Sequence, residues 1–209
     1  MSQVMSRMPI SVIARVITCA LLISIFGELQ PAAPGHAASI ATLGTTGTGS
    51  GPASMAIDGS GNIFTGNTGS NNITKITPSG TSTTFGSTGG SPVGITTDSS
   101  GNVYVLDGDG AITKFTSSGI SSSFATGINT PRAIAADSAG NIYATSAGFT
   151  AYVYKYESTG YRTNCGFSYS TPAAIVIDSS NNIFVADEGF NKVWKLTSAC
   201  AKTQYGSTT

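Results

Sequence analysis

The chain repeats itself about every forty residues, and no other feature limits its fold as tightly. Pro52, Pro92, Pro131 and Pro172 stand 40, 39 and 41 residues apart. Six residues after each proline comes an aspartate (Asp58, Asp98, Asp137, Asp178), and four residues after each aspartate an asparagine (Asn62, Asn102, Asn141, Asn182). Lys75, Lys114, Lys155 and Lys195 then follow at similar distances. A helical repeat of this length needs apolar stripes of period 3.6; here Ile, Val, Tyr and Phe alternate with polar residues, so each unit reads as a blade of short strands.

In the second unit, "VGITTD", "NVYVLD", "AITKFT" and "SSSFAT" read as four successive strands, labelled a to d. The units run over 52–91, 92–130, 131–171 and 172–209, and together they predict an all-β propeller of about four four-stranded blades. The stretch 38–51, "SIATLGTTGTGSGP" from Ser39 onward, resembles the d strand and d–a loop of later units and predicts an outer strand with its lead-in. The tail "AKTQYGSTT" reads as a further d strand. One d strand is therefore surplus. The expectation is an incomplete or open ring, either an arc of a larger propeller or one completed by another chain with self-association through open blade edges; the alternative is a closed four-bladed ring with an idle N-terminal strand.

The turn between strands a and b, "DSSGN" at Asp98, resembles a small calcium loop. Calcium takes six to eight oxygens, usually from several carboxylates, and each copy of this segment offers a single carboxylate. The same residues make a hairpin turn, with the aspartate accepting backbone N–H groups and the glycine taking a left-handed conformation. Asp58, Asp98, Asp137 and Asp178 are therefore read as structural turn residues. In the fourth copy Asn181 replaces the glycine, and Asn is one of the few other residues that tolerates that conformation.

Ahead of the repeats, Arg7 and Arg15 are the only charges in the first fifteen residues, and the apolar run Val16–Phe26 follows. A small-residue exit ending near Ala37 completes the pattern of a cleavable signal helix over 1–37, which predicts a secreted or periplasmic protein with no membrane attachment after removal. Past residue 38 there are eight basic and nine acidic residues with no run of either sign, which excludes a nucleic-acid-binding stripe. The one histidine, His36, lies at the cleavage region. Histidine general-base catalysis and histidine-ligated zinc are thereby removed from the mature chain. Cys165 and Cys200 remain after processing; export would allow a disulfide, but they fall at different places in their repeats and the sequence leaves their pairing open.

"PVGITTDSSGNVYVLDGDGAITKFTSSG" and "PAAIVIDSSNNIFVADEGFNKVWKLTSA" resemble NHL repeats, a likeness that extends over roughly residues 52 to 200. The resemblance implies a β-propeller, and more distantly it is similar to the gluconolactonase-like propellers, which use a carboxylate-and-asparagine metal site. In a propeller the d–a and b–c connections emerge on one face, where ligands usually bind. That face would gather Asp107, Asp109, Arg132, Asp187, Glu188 and Asn191, with Phe149, Tyr169 and Phe190 as aromatic neighbours. The expectation is an exported, non-catalytic binding or scaffold module for a protein or glycan ligand, with no catalytic residue and no cofactor assigned. A divalent cation is not excluded by composition. The alternatives are a metal-dependent lactonase or esterase of the gluconolactonase-like type, and a truncated fragment of a larger propeller.

Overall fold

The structure, a computed structural model, describes residues 42–47, 50–166 and 169–206; the expected signal helix lies outside them. Among the described residues the repeats form sixteen strands. The first blade holds β1 (Pro52–Ile57), β2 (Ile63–Asn67), β3 (Asn72–Ile76) and β4 (Ser82–Ser87); the second holds β5 (Pro92–Thr97), β6 (Val103–Asp107), β7 (Ile112–Phe115) and β8 (Ser121–Ala125). The third holds β9 (Pro131–Ala136), β10 (Ile142–Ser146), β11 (Tyr152–Tyr156) and β12 (Arg162–Asn164); the fourth holds β13 (Pro172–Ile177), β14 (Ile183–Asp187), β15 (Lys192–Leu196) and β16 (Lys202–Gln204). Each blade is one antiparallel sheet whose strands lie in chain order. The four strands expected in the second unit are β5 to β8, displaced or trimmed by one or two residues. Residues 42–47 form no strand, so the outer strand expected across 38–51 is not formed there.

The repeated aspartates act inside their own turns. Asp98 accepts the backbone N–H groups of Ser100 and Asn102 at one carboxylate oxygen, both at 2.9 Å, and the Asn102 side-chain amide at the other, 2.7 Å. Asp58, Asp137 and Asp178 repeat these three bonds. The Tyr104 and Tyr143 hydroxyls donate to Asp98 and Asp137, each at 3.2 Å. Asn181 does hold a left-handed conformation, with φ 59°.

The repeated lysines are explained by register. Phe64, Tyr104, Tyr143 and Phe184 on the second strands lie directly opposite Lys75, Lys114, Lys155 and Lys195 on the third. Each ammonium sits over its partner's ring at 5.3 to 6.0 Å from the centroid. Such cation–π pairs contribute about 0.5–1 kcal/mol at exposed sites.

Among the described residues, three apolar cores stand between successive blades. Phe64, Ile73, Ile95, Val103, Val105 and Phe115 form the first. Tyr104, Leu106, Ile112, Ile134, Ile142 and Tyr156 are the main members of the second. Tyr143, Val153, Ile175, Ile183, Val185 and Leu196 anchor the third. Each fully buried side chain of this kind contributes about 1.5–3 kcal/mol of transfer free energy, so blade-on-blade packing holds the unit together. The inner strands pack in succession, β1 on β5, β5 on β9 and β9 on β13.

Cys165 and Cys200 form a disulfide across the third boundary. Cys165, seven residues before Pro172, takes the place that Phe85 and Phe124 hold seven residues before their prolines. Cys200 takes the left-handed c–d turn position filled elsewhere by Gly80, Gly119 and Gly160, with φ 66° against 85°, 88° and 86°. The two cysteines do fall at different places in their repeats, but those places meet between adjacent blades. The carbonyl oxygens of Phe85 and Phe124 lie against Gly119 and Gly160 in just this way.

Candidate functional site

One end of each blade is built to a common plan. The a-strand proline sits opposite the last residue of the b strand: Pro52 opposite Asn67, Pro92 opposite Asp107, Pro131 opposite Ser146 and Pro172 opposite Asp187. Proline has no N–H to give to the ladder, and a bulge beside each of these pairs lets the d–a connection turn over the b-strand end. The residue after the b strand then donates its N–H to the carbonyl of the residue before the proline. These bonds are Thr68 to Gly51 at 3.0 Å, Gly108 to Ser91 at 2.8 Å, Ala147 to Thr130 at 2.9 Å and Glu188 to Thr171 at 2.9 Å. The d–a and b–c connections of each blade are thus tied together on one face.

Beneath these ties the b-strand ends are buried. Asn67, Asp107, Ser146 and Asp187 are all at most 1% exposed. Asp187 is fully committed: it accepts the Thr171 N–H at 2.8 Å, the Ser170 N–H at 3.1 Å and the Trp194 indole N–H at 3.2 Å. Asn67 donates to Asn72 and Thr74 at 2.8 and 2.9 Å, and the Ser146 hydroxyl accepts the Tyr152 N–H at 3.2 Å. Asp107 differs from all three, because neither of its carboxylate oxygens is within good hydrogen-bonding geometry of a donor among the described residues. Burial, with the neighbouring Asp109 charge adding to it, pushes the Asp107 carboxyl up to about 6; the Gly90 amide and the Thr88 hydroxyl, which itself donates to the Gly90 carbonyl, lie close enough to offset this only in part.

The six expected ligand residues therefore separate into two groups. Asp107 and Asp187 are interior supports of the loop face. Asp109, Arg132, Glu188 and Asn191 are exposed above it. Asp109 accepts the Ala111 N–H at 3.1 Å. Glu188 opens a single 3-10 turn, Glu188–Phe190, which Asn191 closes in a left-handed conformation, φ 52°. These four stand on three blades: Asp109 on the second, Arg132 on the third, Glu188 and Asn191 on the fourth. Of the expected aromatic neighbours, Phe149 and Phe190 are exposed. Tyr169 is not: it is 6% exposed and bridges to Ala151 as a β-bridge. Among the described residues no group of three His, Cys, Asp or Glu side chains is placed to hold a metal ion.

Sequence reasoning missed Lys202. Its ammonium lies between two rings, 4.1 Å from the Tyr169 centroid and 4.2 Å from that of Trp194. Burial lowers its pKa, the Asp187 carboxylate raises it, and Lys192 lowers it further. No repeat position marks this residue, because Tyr169 and Lys202 meet only through the packing of the third blade on the fourth. At the opposite end, the a–b turns of the first two blades border an open polar cleft of about 380 Å³ that includes Asp58, Asn62, Lys75 and Ser99. Its aspartate is already occupied by its own turn.

No protein-family model matches the sequence, and neither does any curated protein. Solved structures do. A structure of streptogramin B lyase matches with a TM-score of 0.65 at 18% identity, over 78% of this chain and 57% of that one. A catalytically inactive histidine-to-alanine variant of virginiamycin B lyase from Staphylococcus aureus, with quinupristin, matches with a TM-score of 0.65 at 20% identity, over 79% and 58%. A putative gluconolactonase matches with a TM-score of 0.58 at 14% identity, over 69% and 59%. The chain thus spans a little under three fifths of the length of these proteins. Likeness at such low identity speaks for the fold, and with the four meandering sheets it makes this an all-β chain of propeller type.

Proposed function

We propose that this chain is an exported binding or scaffold module of NHL-repeat type that meets a protein or glycan ligand through its loop face, without catalysis. The observation that carries this reading is the contrast between the two levels of that face. A buried level, tied by one N–H···O bond per blade, holds the loops. An exposed level above it, Asp109, Arg132, Phe149, Glu188, Phe190 and Asn191, differs from blade to blade. A held scaffold with varied, exposed aromatic and polar side chains is the arrangement in which binding residues are found on loops. The test is binding of the leaderless chain to immobilised glycans and candidate surface proteins, compared with a Phe149→Ser, Phe190→Ser, Asn191→Gly variant, in which glycine keeps the left-handed turn. Binding that is lost in the variant at unchanged melting temperature supports the reading; equal binding by both overturns the placement on this face.

The likeness to a putative gluconolactonase favours a second reading, a metal-dependent lactonase or esterase. Lactone hydrolysis by the purified chain in the presence of calcium or zinc, abolished by a chelator, would support it over the first. A lyase reading finds less support: the virginiamycin B lyase variant that has alanine in place of a histidine is catalytically inactive, and the single histidine of this chain is His36.

A further inference from the structure

At the end opposite the loop face, two positions in the a–b turns decide whether side chains span the boundary between successive blades. Between the third and fourth blades they do. The Asn181 amide accepts the Ser138 N–H at 3.0 Å and donates to the Ser138 hydroxyl at 2.7 Å. The Lys155 ammonium of the third blade also donates to the Ser198 carbonyl of the fourth, at 3.1 Å. These bonds lock that boundary.

Between the first and second blades the same places are filled differently. Gly59 stands one residue after its aspartate, as Ser138 does, and Gly101 stands three residues after, as Asn181 does. Ser117 follows the threonine of its c–d turn, as Ser198 does. Neither glycine has a side chain to cross the gap. The Lys75 ammonium lies over the Phe64 and Phe85 rings, 5.7 and 5.9 Å from their centroids, and makes no hydrogen bond or ion pair with a described residue. The boundary between the second and third blades is intermediate: Ser99 remains where Ser138 stands, and Gly140 replaces Asn181.

The open cleft of about 380 Å³ lies where this first lock is missing, bordered by Gly59, Gly101, Lys75 and Ser117. Small-ligand sites run to roughly 300–1,000 Å³, so it has room for one small ring. Its polar groups are mostly donors. The Gly59 N–H and the hydroxyls of Ser60, Ser99, Ser100 and Ser117 bond to no described residue. Asp58 is the carboxylate on its wall, and both of its oxygens accept bonds from its own turn. The cleft thus offers one cation and several hydroxyls to a ligand rich in oxygen.

We propose that this cleft binds a carboxylate-bearing sugar, with the carboxylate on Lys75 and the ring hydroxyls among the serines. A charge-assisted bond from the ammonium is stronger than a neutral one, and serine hydroxyls both donate to and accept from sugar hydroxyls. The ligand supplies across the first boundary the acceptor that the Asn181 side chain supplies across the last. The site is at the other end of the blades from the loop face and does not rest on the function proposed there.

Titration of the isotope-labelled leaderless chain with glucuronate, followed by amide chemical shifts, tests this, with methyl glucoside as the neutral control. Saturable shifts are expected at Gly59, Ser60, Ser99 and Gly101. Methyl glucoside binding to wild type, and glucuronate binding to Lys75→Gln, should each be weaker by about tenfold or more, as for loss of one charged bond. The second variant transplants the lock, Gly59→Ser with Gly101→Asn. A Cβ at position 59 meets nothing within 4 Å, and one at position 101 meets only the Ser117 Cβ at 3.5 Å. Asparagine also tolerates the φ of 76° at position 101, as it does 59° at Asn181. This variant should melt no lower than wild type and bind no glucuronate. Absence of saturable shifts in wild type, shifts centred elsewhere, equal binding of the neutral sugar, or undiminished binding by the lock variant overturns the proposal. The Phe149→Ser, Phe190→Ser changes on the loop face should leave glucuronate binding unchanged; a loss there would also overturn it.

Discussion

Cys165 is bonded to Cys200 with their Cα atoms 4.6 Å apart, at the boundary where the earlier blades set an aromatic residue's carbonyl against a turn glycine. A covalent link thus stands in for a packing contact between the third and fourth blades. The bond closes a loop of 35 residues, for which chain entropy gives a stabilisation of about 3–4 kcal/mol. The double variant Cys165→Ala, Cys200→Gly should be less stable than the oxidised wild type by somewhat less than this, because glycine relieves the left-handed strain at position 200. Urea unfolding with and without reductant checks it: the wild type should lose stability on reduction and the double variant should not respond.

Asp98→Asn replaces one acceptor oxygen by a donor facing the Asn102 amide or the turn N–H groups. The loss should be about 1–2 kcal/mol, with similar losses at Asp58, Asp137 and Asp178. Elemental analysis should show the same metal content in variant and wild type. A stoichiometric calcium ion lost with the substitution would contradict the turn assignment.

Asp107 gives a pH signature. Its folded pKa, about 6, lies above the usual unfolded value near 3.9. Between these values the folded state binds more protons than the unfolded state, so stability falls as pH rises, and above 6 the cost is fully present. Asp107→Asn removes that cost. The variant should be more stable than wild type at pH 7.5 by about 1–2 kcal/mol, allowing for partial solvation of the site, and should equal it near pH 4. Denaturant midpoints measured over that range decide it.

Asn181→Gly separates local propensity from tertiary contact. Glycine suits a φ of 59° better than asparagine. Yet the Asn181 side chain accepts the Ser138 N–H at 3.0 Å and donates to the Ser138 hydroxyl at 2.7 Å, joining the turns of the third and fourth blades. The substitution should therefore destabilise by a few tenths to 1 kcal/mol, the two lost bonds outweighing the gain at the turn. A rise in melting temperature would show that the turn term dominates.

Much of the architecture is legible in the residues because it is local. Strand alternation, the Asp-x-x-Gly-Asn turn and the proline at each a strand act over a few residues, and each appears once per blade. The candidate site is less legible. Asp107, Asp109, Asp187 and Glu188 read alike as loop carboxylates, but the depth of the b-strand end beneath the d–a connection buries Asp107 and Asp187 and leaves the other two exposed. Tyr169 likewise reads as a loop aromatic, yet it lies under Lys202.

The sequence by itself determined the repeat, the four-stranded unit and the turn chemistry, since hairpins are fixed by neighbours in the chain. Only the tertiary structure decided which residues meet across blade boundaries: Cys165 with Cys200, Ser138 with Asn181, Lys202 with Tyr169. Those pairs lie one repeat apart, and the angle and offset at which one sheet packs on the next are set by the combined shape of many side chains. The repeat predicts an outer d strand over 38–51, but residues 42–47 form no strand and only the Leu43 carbonyl reaches the turn glycine Gly80.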